Sequence, residues 1–184
     1  LHGYADALDA KNHVALLGDG EGFVWTSERD GWRRLYLYDA DGRLVRPLTP
    51  AGTEVIRLEA VDPGAGWIYY SARPDPERPY AEALLRAPIE GGEPERLVDG
   101  PVIEDLALSP SGAFLWVLRA GLEGAPTAEL RRADGSRVRT VWTAAGMMKS
   151  LPTPRPAPFT ATAADGETVL HGLIFRPSDF DPSR

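Results

Sequence analysis

The side chains able to do chemistry in this 184-residue chain are eight serines, three histidines and a few close carboxylate pairs. A serine nucleophile of the G-x-S-x-G type needs glycine two positions to either side, so that a strained turn exposes the hydroxyl beside its oxyanion donors. Ser27, Ser71, Ser109, Ser111, Ser136, Ser150, Ser178 and Ser183 all lack that frame. A histidine base needs a serine within reach and a carboxylate to orient it. His2, His13 and His171 are not arranged in sequence to supply one, and His171 reads as a polar strand residue. His2 and His13 are too far apart for a helical metal pair. No catalytic residue, metal ligand or cofactor motif is therefore assigned, and no substrate-binding residue can be named from the pattern.

Two carboxylate pairs remain, Glu28/Asp30 and Asp39/Asp41. The string Asp39-Ala40-Asp41-Gly42 opens like a calcium loop, but Leu44 and Val45 resume an apolar run where further oxygen ligands are needed. It reads as a hairpin turn. The segment Ser27-Glu28-Arg29-Asp30-Gly31-Trp32 has two readings, a substrate-facing loop or a tight turn with Trp32 packed between sheets, and the turn is favoured. Trp25, Trp67, Trp116 and Trp142 are expected in the core between sheets.

The elements that hold these residues are short runs of β-branched and aromatic residues bounded by Gly, Pro or Asp. No stretch keeps a helical apolar period for three turns. Strands are predicted at 22–26, 34–39, 44–48, 55–61, 67–71, 83–88, 95–98, 103–108, 114–119, 128–132 and 138–142. Three segments repeat. Phe23-Val24-Trp25-Thr26-Ser27 answers to Trp67-Ile68-Tyr69-Tyr70-Ser71 and to Phe114-Leu115-Trp116-Val117-Leu118. Each is followed by a second strand that ends in Asp41-Gly42, Gly91-Gly92 or Asp134-Gly135, dipeptides that supply the positive φ of a tight hairpin, and then by a closing strand. A period of about 45 residues with about four strands per unit is the signature of β-propeller blades. Three blades do not close a ring, so the arc is expected to continue upstream of Leu1, and both termini look cut.

At Ser150 the character changes. Prolines at 152, 154, 156 and 158 make residues 151–158 an extended linker. This divides the chain into 1–150, the blades, and 159–184, where two short strands flank Asp165-Gly166. The fold class expected is all-β, a partial propeller of about three four-stranded blades followed by a linker and a hairpin.

Composition narrows the function classes. A net charge of -7 and a pI near 5.0 leave no basic stripe for nucleic acid. No window approaches the roughly 20 apolar residues of a membrane span. Without cysteine there is no disulfide frame and no thiolate chemistry. Lysine occurs only at Lys11 and Lys149 against abundant arginine, a bias that suggests a bacterial source, with the compartment left open between cytoplasm and periplasm.

The string from Phe23 through Ser27-Glu28-Arg29-Asp30-Gly31-Trp32-Arg33-Arg34 to Tyr38 resembles a blade segment of bacterial dipeptidyl peptidase IV-like enzymes. Leu84 to Leu97, carrying Gly91-Gly92, is similar to a strand, turn and strand of propellers in general. Ala164-Asp165-Gly166-Glu167-Thr168-Val169-Leu170-His171-Gly172 and Arg176-Pro177-Ser178-Asp179-Phe180-Asp181-Pro182 look like the entry to the α/β-hydrolase domain of the prolyl oligopeptidase superfamily. The resemblance implies a parent serine exopeptidase that removes N-terminal dipeptides after proline or alanine and needs no cofactor. It implies peptides, the remaining blades and the hydrolase domain as partners, and allows a homodimer of the parent. The catalytic Ser, Asp and His would lie outside this chain, and the part in hand would be the gating propeller. A non-catalytic protein-binding propeller is the competing expectation.

Overall fold

The computed structural model describes residues 14–18, 20–100, 102–120, 125–150, 156–177 and 180–181. Runs such as Arg34-Leu35-Tyr36-Leu37-Tyr38 and Trp67-Ile68-Tyr69-Tyr70-Ser71 favour extended backbone because branched and aromatic side chains fit a pleated, buried surface. They form three four-stranded antiparallel sheets. The first holds β1 (Val14–Leu16), β2 (Phe23–Ser27), β3 (Arg34–Tyr38) and β4 (Leu44–Pro47). The second holds β5 (Glu54–Asp62), β6 (Trp67–Arg73), β7 (Glu82–Pro88) and β8 (Glu95–Gly100). The third holds β9 (Val102–Leu108), β10 (Phe114–Ala120), β11 (Thr127–Arg132) and β12 (Arg137–Thr143). Each strand pairs with the next in sequence. The three predicted repeats fall on equivalent strands: β2, β6 and β10, then β3, β7 and β11, then β4, β8 and β12.

β1 was not among the predicted strands, being three residues long. A short helix α1 (Ala145–Ser150) also interrupts the expected all-strand reading, with the Thr143 hydroxyl accepting from the Ala145 N–H at 3.3 Å at its start. Residues 151–155 of the proline-rich segment lie outside the described residues. Ala157 and Pro158, read above as linker, begin β13 (Ala157–Thr162), which pairs antiparallel with β14 (Val169–Ile174). A two-stranded ribbon consists of edges only, where proline is tolerated.

The sheets stack through period-2 alternation, which sends successive side chains to opposite faces. On β6, Ile68, Tyr70 and Ala72 join one core cluster with Val24, Leu35 and Leu37 of the first sheet. Tyr69, between them, joins a second cluster with Ile103, Leu106, Leu115 and Val117 of the third. β7 divides likewise, Ala83, Leu85 and Ala87 to one side and Leu84 to the other. The second sheet is therefore buried on both faces. Polar contacts tie the same interfaces: Arg86 stacks 4.1 Å over the Trp67 ring and donates to the Ala133 carbonyl at 3.1 Å. Gly135, at φ +83, lies so close to Leu97 that a Cβ there would sit 2.7 Å from the Leu97 carbonyl oxygen.

The tryptophans divide differently from expectation. Trp67 packs against the second cluster, whereas Trp25, Trp32 and Trp142 are 44%, 53% and 50% exposed. Trp25 lies on the face of the first sheet that no other described sheet covers, and Trp142 on the last strand of the third. Arg29, in the same turn as Trp32, lies over the rings of Tyr36 and Tyr38, at 4.6 and 5.6 Å.

Candidate functional site

The first strands of the sheets lie side by side, β5 touching β1 on one flank and β9 on the other. Between β5 and β9 runs a cleft of about 470 Å³ lined by Arg33, Ile56, Arg57, Glu59, Glu104, Asp105 and Leu106. It shares Glu59 and Leu106 with a wider cleft of about 870 Å³ that reaches the turns Asp62-Pro63-Gly64-Ala65 and Ser109-Pro110-Ser111-Gly112.

Irregular pairing puts the charges there. On β5 the partner register skips Ile56 and then Glu59, and on β9 it passes from Asp105 to Ile103, skipping Glu104. A bulge leaves one residue without a cross-strand partner and re-aims its side chain, and bulges concentrate at strand edges and beside sites. All three skipped residues line the cleft.

The arginines are largely committed to the scaffold. Arg57 lies 3.2 Å from the Glu59 carboxylate and also donates to the Ile103 carbonyl on β9. Arg33 donates to the Ile56 carbonyl at 3.1 Å and pairs with Glu28 at 3.5 Å. The Glu59 side chain is 7% exposed. Its burial pushes the carboxyl above the usual glutamate range, with Arg57 pulling against it. Glu104 and Asp105 face solvent. The cleft is thus a wet, mixed-charge groove able to contact a polar chain. It holds no serine–histidine pairing for covalent chemistry, and among the described residues no three His, Asp or Glu side chains are grouped to hold a metal.

A second ionic node lies on the third sheet. Glu129 is fully buried and its carboxylate receives Arg131 at 2.7 Å, Arg119 at 3.3 Å and Arg137 at 3.5 Å. Burial on its own would raise this carboxyl. The hydrogen bonds and charge of Arg131, with Arg119 behind them, outweigh it and hold the group below the usual range.

The residues singled out from sequence sit elsewhere. In the segment 27–32, Asp30 is held by Arg34 and by the Tyr36 hydroxyl, each at 2.7 Å, and the Gly31 N–H closes on the Glu28 carbonyl at 2.9 Å. This is a tied turn. Asp39 accepts from the N–H groups of Asp41 and Arg43, at 3.0 and 2.8 Å, so its carboxylate serves its own hairpin. Ser109 and Ser111 bond each other at 3.2 Å within the β9–β10 turn. His171 stands on β14, and His2 and His13 lie outside the described residues. The cleft residues Arg33, Arg57, Glu59, Glu104 and Asp105 were not found from sequence. The available signal was charge inside otherwise apolar strand runs, as in Glu54-Val55-Ile56-Arg57-Leu58-Glu59.

Comparison with known proteins places this geometry. The family described as "Dipeptidyl peptidase IV (DPP IV) N-terminal region" matches residues 3–121. Dipeptidyl peptidase 4 of Porphyromonas gingivalis is 24% identical and superposes with a TM-score of 0.77 over 95% of this chain and 24% of its own. A puromycin hydrolase S511A mutant is 21% identical, with a TM-score of 0.64 over 89% of this chain and 25% of its own. TolB of Acinetobacter baumannii is 22% identical, with a TM-score of 0.55 over 67% of this chain and 30% of its own. The chain spans about a quarter of the length of the two enzymes.

Proposed function

Since the chain belongs to the dipeptidyl peptidase IV N-terminal region family, we propose that it is the gating propeller portion of a serine peptidase that removes N-terminal Xaa-Pro or Xaa-Ala dipeptides. The observation that carries this reading is the family match across residues 3–121, most of the three-sheet region. The fold supports it in a second way. Likeness to the Porphyromonas enzyme covers 95% of the chain, whereas likeness to TolB covers 67%. A propeller used only as a protein-binding scaffold is the second reading, for which the fold alone, shared over 67% of the chain with TolB, speaks equally.

On the preferred reading, the α/β-hydrolase domain begins with the hairpin that opens at Ala157, the proline-rich residues before it connect the two domains, and the nucleophile, its base and its carboxylate belong to the remainder of the hydrolase domain. The β5–β9 cleft lies on the first strands of the sheets, the strands nearest the axis of a propeller, so it forms part of the wall that an incoming peptide meets. Peptides, the remaining blades and the hydrolase domain are its partners on this reading, which also allows a homodimer of the parent.

The test is to read the coding region beyond Arg184 and assay its whole product. A G-x-S-x-G elbow followed by an aspartate and a histidine, with hydrolysis of Xaa-Pro chromogenic substrates abolished by replacing that serine, is expected. A product that lacks the elbow and leaves such substrates intact would establish the scaffold reading instead.

A further inference from the structure

The loop between β6 and β7, residues 74–81, carries prolines at 74, 76 and 79. Each fixes φ near about −65° and so removes freedom before the loop folds. Internal bonds complete its shape. Asp75 accepts from the Glu77 N–H at 3.0 Å, the Arg78 N–H reaches the Asp75 carbonyl at 3.1 Å, and the Ala81 N–H reaches the Arg78 carbonyl at 2.9 Å. This stiff loop presents Tyr80, whose phenol donates to the backbone carbonyl of His171 at 2.5 Å, a residue 91 positions further along.

The burial of the hairpin is centred on that contact. On β14, His171, Gly172 and Leu173 are half-buried, while Val169, Leu170 and Ile174 are 58%, 50% and 40% exposed. On β13 every residue after Ala157 is exposed. Such a ribbon has little stability of its own in water. Its outer strand edges carry carbonyl groups that its own pairing leaves unused, and the tyrosine takes one of them.

We propose that Tyr80 is a latch: its hydroxyl seats hairpin β13–β14 against the end of the second sheet, and release of this bond lets the hairpin move as a unit relative to that sheet. The latch itself stands on the geometry above. Its consequence rests on the preceding reading, in which the hairpin leads into the hydrolase domain, so that the latch couples that domain to the second sheet.

The test uses Tyr80→Phe in the 184-residue chain, which keeps the ring and the loop turn and removes only the phenol oxygen. Tyr80 is 43% exposed, so the change leaves the packing of the core untouched. The chain has three histidines, so carbonyl-labelled histidine gives three separable carbon resonances. The His171 carbonyl resonance is expected to shift while those of His2 and His13 stay in place. Amides of residues 169–174 are expected to exchange roughly two- to tenfold faster, as the loss of one net hydrogen bond implies, with β5–β8 unchanged. A stationary His171 resonance with unchanged exchange in the hairpin overturns the latch, and so does faster exchange spread equally over β5–β8. Neither observable involves peptide hydrolysis, so the latch and the peptidase reading fail separately.

Discussion

The Glu82 carboxylate on β7 accepts a 3.1 Å hydrogen bond from the backbone N–H of Ile103 on β9, and both residues are buried. Arg57 donates to the carbonyl of the same residue. The second sheet thus satisfies both backbone polar groups of Ile103 by side chains at the point where β9 bulges. Glu82→Ala leaves a buried N–H without a partner and is expected to cost about 1–3 kcal/mol, whereas Glu82→Gln, which keeps an acceptor, is expected to cost less. Urea denaturation of the two variants checks this; equal, negligible losses would mean that the bond contributes nothing across the interface.

Glu129 makes stability depend on pH in a defined direction. Its folded carboxyl is held below the unfolded value, so its stabilisation is complete above the ordinary glutamate range and disappears as pH falls through the folded value. Glu129→Gln should lose on the order of 3 kcal/mol at pH 7, because three guanidinium groups are left around an uncharged side chain. The difference from the parent chain should narrow as the solution is acidified. Midpoints of urea unfolding at pH 7 and near pH 3 decide it.

Glu59 acts in the opposite sense. Burial raises its folded carboxyl above the unfolded value, so whatever it adds to stability is present at low pH and lost as pH rises through the folded value. Relative to the parent chain, Glu59→Gln should therefore gain stability as pH rises from the ordinary glutamate range through the folded value. A difference that stays flat over this span, or moves the other way, would show that Arg57 outweighs burial.

Gly135→Ala tests the packing of the third sheet on the second. The backbone holds φ at +83 and the new Cβ would meet the Leu97 carbonyl oxygen at 2.7 Å, with the Leu97 Cα and Cβ close behind. Neither backbone can yield cheaply, so a loss of more than about 1 kcal/mol is expected. Gly31→Ala is the control: its φ of +92 carries the same backbone penalty, with nothing near the added carbon. Equal losses in a thermal melt would assign the whole effect to φ.

The strands of the three sheets were legible because each is a run of branched or aromatic residues closed by a glycine-bearing turn, and because the runs repeat. Phe23, Trp67 and Phe114 open equivalent strands, as their alignment implied. β1 was too short to show a period, and α1, with Gly146 in its first turn, lacks the length and propensity that mark a helix. The cleft stayed hidden for a different reason. Which strand residues are skipped in pairing depends on the partner strand, so nothing local to Ile56, Glu59 or Glu104 announces a bulge. The Glu129 node joins residues up to ten positions apart through strand pairing, and Glu82 with Ile103 spans 21 positions between sheets. Such contacts become visible only once sheets are stacked. The exposed Trp25, Trp32 and Trp142 show the converse error, since aromatic character marks what can be buried and not what is.

The double-sided second sheet makes this a linear array of three units with nearest-neighbour coupling. Among the described sheets, the middle one shares two interfaces, one lined by Tyr70 and the other by Tyr69, and each flanking sheet shares one of them. Among the described sheets, the second therefore carries the coupling between its two neighbours, and loosening it gives up both interfaces at once.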